Sequence, residues 1–229
     1  MRISAGMAFV VSCVMTQAAV ALDDANDVVD RTHEVGDQDV VFDVYRQGDT
    51  RFGEHAVRFS RDGEDLIATN EIRLRAGLGP ITVFRYEHDS TERWRDDELI
   101  GMRGRTFKDG NTYTVSVDSA EEAFLIEGVD PELMQFAAES AHSLLSSHWR
   151  GYPQGEVELI NTEHGTFMDA EVVYLGETEI EGDGGMITVD HYRLISTLTV
   201  DLYYDQHGRW AGCEFDARGQ SVRYVRRAP

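Results

Sequence analysis

Residues 81–94 read ITVFRYEHDSTERW, a long stretch in which the character of the side chains alternates with a period of two. Successive side chains of a β-strand point to opposite faces. One predicted face carries the aromatic and polar side chains of Phe84, Tyr86, His88, Ser90, Glu92 and Trp94. The other carries the polar and mostly charged side chains of Arg85, Glu87, Asp89, Thr91 and Arg93. The stretch therefore predicts a strand with one solvated face, suited to cross-strand ion pairs, and one aromatic and polar face.

The same alternation recurs along most of the chain, and turn residues interrupt it every ten to sixteen positions. This pattern is typical of antiparallel β structure. We expect strands over residues 40–46, 51–60, 66–74, 81–94, 99–107, 112–117, 157–160, 167–175, 187–194, 198–204, 210–215 and 221–226. The predicted fold class is mainly β, with the strands in an antiparallel curved sheet, a sandwich or a partly closed barrel.

One segment departs from the strand pattern. Asp130, Pro131 and Glu132 resemble a helix start, with an N-cap acid and a proline at the first helical position. Apolar residues then recur at roughly helical spacing, at Leu133, Phe136, Ala137, Leu144 and Leu145. We therefore expect one amphipathic helix over residues 131–145, packed as a plug or lid on the sheet.

The first 21 residues have the layout of a secretory signal peptide. Arg2 gives a positive start, residues 3–21 carry no charge, and Ala19-Val20-Ala21 forms a small-residue cleavage site. We expect export to the periplasm with cleavage after Ala21, a lipidated Cys13 and an uncleaved membrane anchor being the two alternatives. Residues 22–39 then form an acidic N-terminal segment, and residues 40–229 form a single β-rich domain.

The composition excludes some classes of partner. The formal net charge of −21 argues against nucleic acid, whose phosphates need a basic surface, and against charge-driven docking on anionic lipid. Once the leader is removed Cys213 is the only cysteine, so no internal disulfide forms, and its apolar neighbours Ala211 and Phe215 indicate burial. Lys108 is the only lysine in the chain.

The candidate ligand-binding residues lie on the aromatic and polar face and in the stretch SSHWR at 146–150. They are Tyr86, His88, Glu92, Trp94, His148 and Trp149. A serine triad on the strand is disfavoured because same-face neighbours are about 6.6 Å apart, too far for Ser90 to contact His88 as a nucleophile requires. The alternative is that these polar groups bond to loops and arginines, and that Trp149 caps the core.

We expect neither a metal nor a cofactor. His142 and His148 do not share one helical face as zinc ligands would. The acidic turns at 62–65 and 181–184 do not follow the calcium-loop pattern, so solvated turn acids explain them better. No glycine-rich loop stands before a helix to cradle phosphate.

Four motifs in this order resemble an exported proteobacterial family known only as a domain of unknown function. They are RYEH at 85–88, SHW at 147–149, NT at 161–162 before Gly165, and YDQHGRW at 204–210. The resemblance covers about residues 40–224 and implies export and an all-β core, but no reaction. At fold level the chain also resembles the curved-sheet periplasmic carriers that shield lipid or lipoprotein acyl chains, an analogy of architecture.

Three hypotheses follow for the function. The first is a periplasmic carrier whose concave β face binds an apolar or amphipathic ligand such as a lipid. The second is a hydrolase that uses His88 or His148 with a nearby carboxylate as general acid and base. The third is an envelope interaction or scaffold protein without a small-molecule site, which binds a protein partner through a sheet edge.

Overall fold

The computed structural model describes residues 38–78, 81–120, 123–129, 134–137 and 145–229. The predicted signal peptide at 1–21 and residues 22–37 of the predicted acidic segment lie outside the described residues.

Fourteen strands account for most of the described chain. They are β1 (Val40–Arg46), β2 (Thr50–Asp62), β3 (Asp65–Leu78), β4 (Ile81–Arg95), β5 (Glu98–Lys108), β6 (Asn111–Ala120), β7 (Ala123–Glu127), β8 (Met134–Ala137), β9 (Gly155–Ile160), β10 (Phe167–Gly182), β11 (Gly185–Ile195), β12 (Thr199–Asp205), β13 (Trp210–Ala217) and β14 (Gln220–Arg226). A short 3-10 helix spans His148–Arg150.

All fourteen strands belong to one sheet. Their order is β8-β7-β6-β5-β4-β3-β2-β1-β14-β13-β12-β11-β10-β9, and every adjacent pair is antiparallel. The prediction of a mainly β, antiparallel fold is confirmed. The curved single sheet, not the two-sheet sandwich, is the form that these strands adopt.

The two faces of β4 are divided as the sequence predicts. His88, Ser90, Glu92 and Trp94 are all buried on the inner face, with exposed fractions of 4% or less. The outer face carries cross-strand ion pairs, for example Arg73 with Asp89 and Arg93 with both Asp62 and Asp65. Hydrogen bonds from Arg95 and then Arg93 also lower the pKa of Asp65, so this acidic turn is neutralised by arginine.

β-Bulges contribute to the curvature of the sheet. On β2, Gly53 pairs with Val44 and Arg51 pairs with Tyr45, which leaves Phe52 as an extra residue. A bulge bends its strand and re-aims a side chain. Here the Phe52 side chain, near the N-terminal end of β2, packs against the hydrophobic core, whereas strict alternation along β2 would direct it to the outer face.

A turn closes the curled sheet on itself. Residues 161–166, which we call the closing turn, connect β9 and β10 at one edge of the sheet but contact β5–β7 near the other edge. The amide of Val129 donates to the His164 carbonyl at 2.9 Å, and Lys108 Nζ pairs with Glu163 Oε1 at 2.7 Å. The sheet is therefore barrel-like, although its edge strands β8 and β9 do not pair directly.

The predicted amphipathic helix over residues 131–145 is wrong where the structure describes this segment. Residues 134–137 form β8, which pairs with β7 so that Phe136 stands opposite Phe124 and Met134 opposite Ile126. The open edge of β7 offers unpaired backbone groups, and this tertiary context overrides the local helical pattern. Residues 131–133 and 138–144 lie outside the described residues. None of the helical structure that is described has the length and apolarity needed to cross a bilayer.

Substitution of Gly128 tests the contact between the closing turn and the segment that follows β7. A Cβ added at Gly128 would lie 2.1 Å from the carbonyl oxygen of His164, whereas a Cβ on Gly185, the first residue of β11, meets nothing within 4 Å. We expect Gly128→Ala to lower the free energy of unfolding by about 1–3 kcal/mol, the usual cost of overpacking. Urea unfolding of both variants checks this. Equal midpoints for Gly128→Ala and the Gly185→Ala control would show that the closing turn is not held at this contact.

Candidate functional site

The most enclosed polar group of the inner face is the carboxylate of Glu92, which is 0% exposed. Its Oε2 accepts hydrogen bonds from the indole nitrogens of Trp94 at 3.0 Å and Trp149 at 2.9 Å. Its Oε1 accepts from the Asn70 side-chain amide at 3.0 Å. Burial raises the pKa of Glu92, and hydrogen bonds from Ser147, Trp149 and Trp94 oppose that shift. We call Glu92, Trp94, Trp149 and Asn70 the indole clamp.

Arg150 covers the indole clamp at one end of the barrel. Its guanidinium carbon lies 4.1 Å from the centroid of the Trp94 ring, and its Nη2 pairs with Asp97 at 3.1 Å. The rings of Trp94 and Trp149 are perpendicular, with centroids 6.0 Å apart. The short 3-10 helix thus plugs this end of the barrel, because Trp149 and Arg150 both belong to it.

His88 and His148 are both bound to hydroxyl groups and not to carboxylates. His88 Nδ1 lies 2.8 Å from Thr106 Oγ1, and His148 Nδ1 lies 2.8 Å from the Tyr152 hydroxyl. Burial lowers the pKa of each ring to about 4. A histidine–carboxylate pair, which an acid–base hydrolase at either position needs, is absent at both histidines among the described residues.

His55 on β2 is a third buried histidine. Its ring stands 5.1 Å from Trp210, 5.8 Å from Tyr224 and 6.1 Å from Phe42, measured between centroids. Burial, and then the neighbouring His88 and His148, lower its pKa to about 3. Asn70 lies beside it, but neither ring nitrogen has a hydrogen bond of normal geometry, and neither does the buried hydroxyl of Ser90. These polar atoms stand unpartnered within an aromatic interior.

The opposite end of the barrel differs from the plugged end. Phe52, Phe84 and Tyr86 pack on the core there while staying partly exposed, and the Phe52 and Phe84 rings are 5.4 Å apart. We call these three residues the aromatic mouth.

A cation stands over each ring of the aromatic mouth. Arg46 lies 5.7 Å from the Phe52 centroid, Arg218 5.4 Å from Phe84, and Lys108 5.8 Å from Tyr86. Such contacts are attractive because the ring face is the negative end of its quadrupole.

The closing turn borders the aromatic mouth. Glu163 pairs with Lys108, and burial followed by the Glu163 charge raises the pKa of the Tyr86 phenol. Asn161 Oδ1 holds the turn by accepting the amides of Glu163 at 2.8 Å and His164 at 3.1 Å. The turn thus joins sheet closure to the geometry around Tyr86.

The structure divides the six sequence-predicted residues. Glu92, Trp94 and Trp149 meet in the indole clamp, and His88 and His148 lie on the inner side, each bound to its own hydroxyl. Tyr86 lies at the aromatic mouth. That these six residues line a ligand site stays a prediction.

Sequence analysis missed three inner-face residues, His55, Phe52 and Arg46. Strict alternation along β1 places Arg46 on the face of Phe42 and Val44, so the sequence pattern alone could have identified Arg46 as an inner-face residue. Phe52 reaches the interior through a bulge, which alternation does not indicate.

The hairpin in the stretch YDQHGRW is a structural turn. Asp205 Oδ1 accepts the amides of His207 at 2.9 Å and Arg209 at 3.1 Å, and Gly208 has a positive φ of 73°. Arg226 pairs with Asp205 at 2.9 Å, and Trp210 is buried in the core with its ring 4.4 Å from Phe42. These contacts make the stretch a turn that holds β12, β13 and β14 together.

The prediction of a buried cysteine is confirmed, since Cys213 is 2% exposed and burial raises the pKa of its thiol.

Within the described part of the chain, no three histidine, cysteine, aspartate or glutamate side chains come together as metal ligands would.

Comparison with known proteins shows the family and the fold. The chain belongs to the family described as Domain of unknown function (DUF6134), whose profile matches residues 42–227. No curated protein matches the sequence. The fold is similar to the crystal structure of a β-barrel-like protein of a domain of unknown function, DUF1849, from Brucella abortus. That likeness has a TM-score of 0.57 at 10% identity and covers 82% of this chain and 94% of the other.

The indole clamp predicts a graded response to substitution of Glu92. Glu92→Leu leaves three buried donors without an acceptor, so we expect a loss of about 2–4 kcal/mol in the free energy of unfolding. Glu92→Gln keeps an acceptor and is expected to lose less than half as much. Urea unfolding measures both, with Glu71→Leu on the outer face of β3 as the control, where about 1 kcal/mol or less is expected. Equal losses for Leu and Gln would contradict the clamp.

Because three histidines are buried, we expect the free energy of unfolding to depend on pH. Their folded pKa values of about 3 to 4 lie below the ordinary value of 6.5, so the unfolded chain binds more protons within that interval. Stability is then full above about pH 6.5 and falls as the pH drops towards 4.

Replacing one buried histidine should flatten this profile. We expect His88→Gln to reduce the slope of unfolding free energy against pH by about 1 kcal/mol per pH unit between pH 6 and 4.5. Urea titrations at several pH values measure the slope, and His207→Gln, at an exposed hairpin position, is the control. An unchanged slope in His88→Gln would mean that this ring is protonated in the folded state.

Proposed function

We propose that this member of the DUF6134 family is exported to the periplasm and binds an amphipathic ligand at its aromatic mouth. The apolar part of the ligand would lie against Phe52, Phe84 and Tyr86. The charge pattern and small-residue site of residues 1–21 support export, with cleavage after Ala21.

The observation that carries this proposal is the contrast between the two ends of the inner face. At the plugged end, Glu92, Trp94 and Trp149 contact one another and bond to one another, so a ligand between them would have to break a buried hydrogen-bond network. At the other end, three aromatic rings are packed on the core but partly open to solvent. Partly open aromatic surface beside polar groups is the usual lining of a ligand site.

Two rival functions have weaker support. An acid–base hydrolase at His88 or His148 lacks the carboxylate partner it needs among the described residues, because Thr106 and Tyr152 bind the two rings. A scaffold that binds through a sheet edge would use β8 or β9, the two ends of the strand order. The DUF1849 likeness, at 10% identity, supports the fold alone.

Native mass spectrometry tests this proposal on protein purified without detergent from the periplasm of an expression host. We expect a mass that begins at Leu22 and a bound lipid-like molecule that organic extraction recovers. Phe84→Ser should reduce the bound fraction several-fold because it removes apolar contact area. The neighbouring Val83→Ser is the control, since the Val83 side chain is 62% exposed.

Two results would count against the proposal. If the purified protein is ligand-free and binds no added amphiphile, ligand binding is ruled out and binding of a protein partner becomes the favoured hypothesis. If the purified protein retains residues 1–21, the proposed cleavage after Ala21 is wrong.

A further inference from the structure

Arg46 stands on the inner face at the aromatic mouth. It is the last residue of β1, two positions after the buried Val44 and four after the buried Phe42, so the alternation of the strand directs it inward. Its guanidinium lies over the Phe52 ring at 5.7 Å, and Phe52 in turn lies 5.4 Å from Phe84. The charge is therefore held beside the apolar surface that the proposed ligand would cover.

The hydrogen-bonding capacity of Arg46 is largely unused. Its Nη1 donates to Gln220 Oε1 at 2.9 Å. Its Nε is buried and has no acceptor, and no carboxylate in the described ranges pairs with the guanidinium. A buried donor without an acceptor is costly, and a guanidinium binds carboxylate and phosphate oxygens through two parallel hydrogen bonds.

The other two cations of the mouth are already neutralised. Lys108 pairs with Glu163 at 2.7 Å, and Arg218 pairs with Asp109 at 3.2 Å. The chain as a whole carries 42 acidic side chains against 21 basic ones. A positive group without an acidic partner, on the inner face of so acidic a protein, favours an anion at that position.

We propose that Arg46 binds the anionic headgroup of the ligand, a carboxylate or a phosphate, while the rings of Phe52 and Phe84 contact its apolar chain. This inference rests on the proposed ligand-binding function and names the class of ligand. The geometry places head and chain side by side, because the guanidinium stacks on one of the rings that the chain would cover.

Binding of a matched series of single-chain amphiphiles tests the headgroup. Isothermal titration below the micellar concentration compares dodecanoate, dodecyl phosphate, dodecanol and dodecyltrimethylammonium. We expect the two anions to bind roughly tenfold or more tightly than dodecanol, as a charge-assisted hydrogen bond provides. The cation should bind most weakly. Dodecanoate and dodecyl phosphate separate a free fatty acid from a lipid phosphate as the source of the headgroup.

Variants at Arg46 assign the preference to this residue. Arg46→Gln should lose roughly tenfold in affinity for the anions and leave dodecanol unchanged, and Arg46→Lys should recover part of the loss. Arg58→Gln, which removes an exposed outer-face arginine that pairs with Glu71 at 2.7 Å, is the matched control. Urea unfolding confirms that each variant is folded.

The possible failures are distinguishable. If dodecanol binds as tightly as the anions, or if Arg46→Gln weakens every amphiphile equally, the anionic headgroup is wrong and ligand binding at the mouth stands. If no member of the series binds the wild-type protein, the proposed function itself is wrong. Loss of anion affinity in Arg58→Gln equal to that in Arg46→Gln would assign the effect to net charge and overturn the role of Arg46.

Discussion

A carboxylate can be taken out of water only where donors replace its hydration, and Glu92 imposes that constraint on the whole plugged end. Its donors come from three parts of the chain, Asn70 on β3, Trp94 on β4 and Trp149 on the 3-10 helix. The 3-10 helix has only three residues and no side-chain cap, so its own hydrogen bonds hold it weakly. The bond from Trp149 to Glu92 helps to hold it in place, together with the hydrogen bond from the Tyr204 hydroxyl to the His148 carbonyl.

The second constraint is the length of the sheet. Fourteen strands whose terminal members β8 and β9 do not pair leave two sheet edges and a wide inner face that must be buried. Bulges bend the strands, and the closing turn brings the β9–β10 hairpin onto β5–β7, where Glu163 meets Lys108. Sheet closure and the neutralisation of one mouth cation are thus the same contact, which couples the shape of the barrel to the charge around Tyr86.

Local alternation was enough to predict most strands and both faces of β4, because a strand with one buried face repeats every two residues. It failed where long-range contacts decide the structure. Residues 134–137 carry a helical pattern but pair with β7, and Phe52 reaches the interior through a bulge. The roles within the site were also out of reach of the sequence. The ligand candidates Glu92 and Trp149 are 57 positions apart, and no local pattern indicates that they bond to each other.

This outcome bears on how polar residues within a barrel should be interpreted. Glu92 and His88 are residue types that often occur in catalytic sites, yet each is hydrogen-bonded to a neighbouring side chain in the interior, Glu92 to Trp94 and His88 to Thr106. Function is better sought where a polar group has unused donors and solvent access. His55 and Ser90 have unpartnered atoms but are enclosed, whereas Arg46 combines an unpartnered donor with a partly open aromatic mouth. The rings of Phe42, Trp210 and Tyr224 surround His55, with centroids 5.1 to 6.1 Å from its ring, so its unpartnered nitrogens are closed off from the mouth.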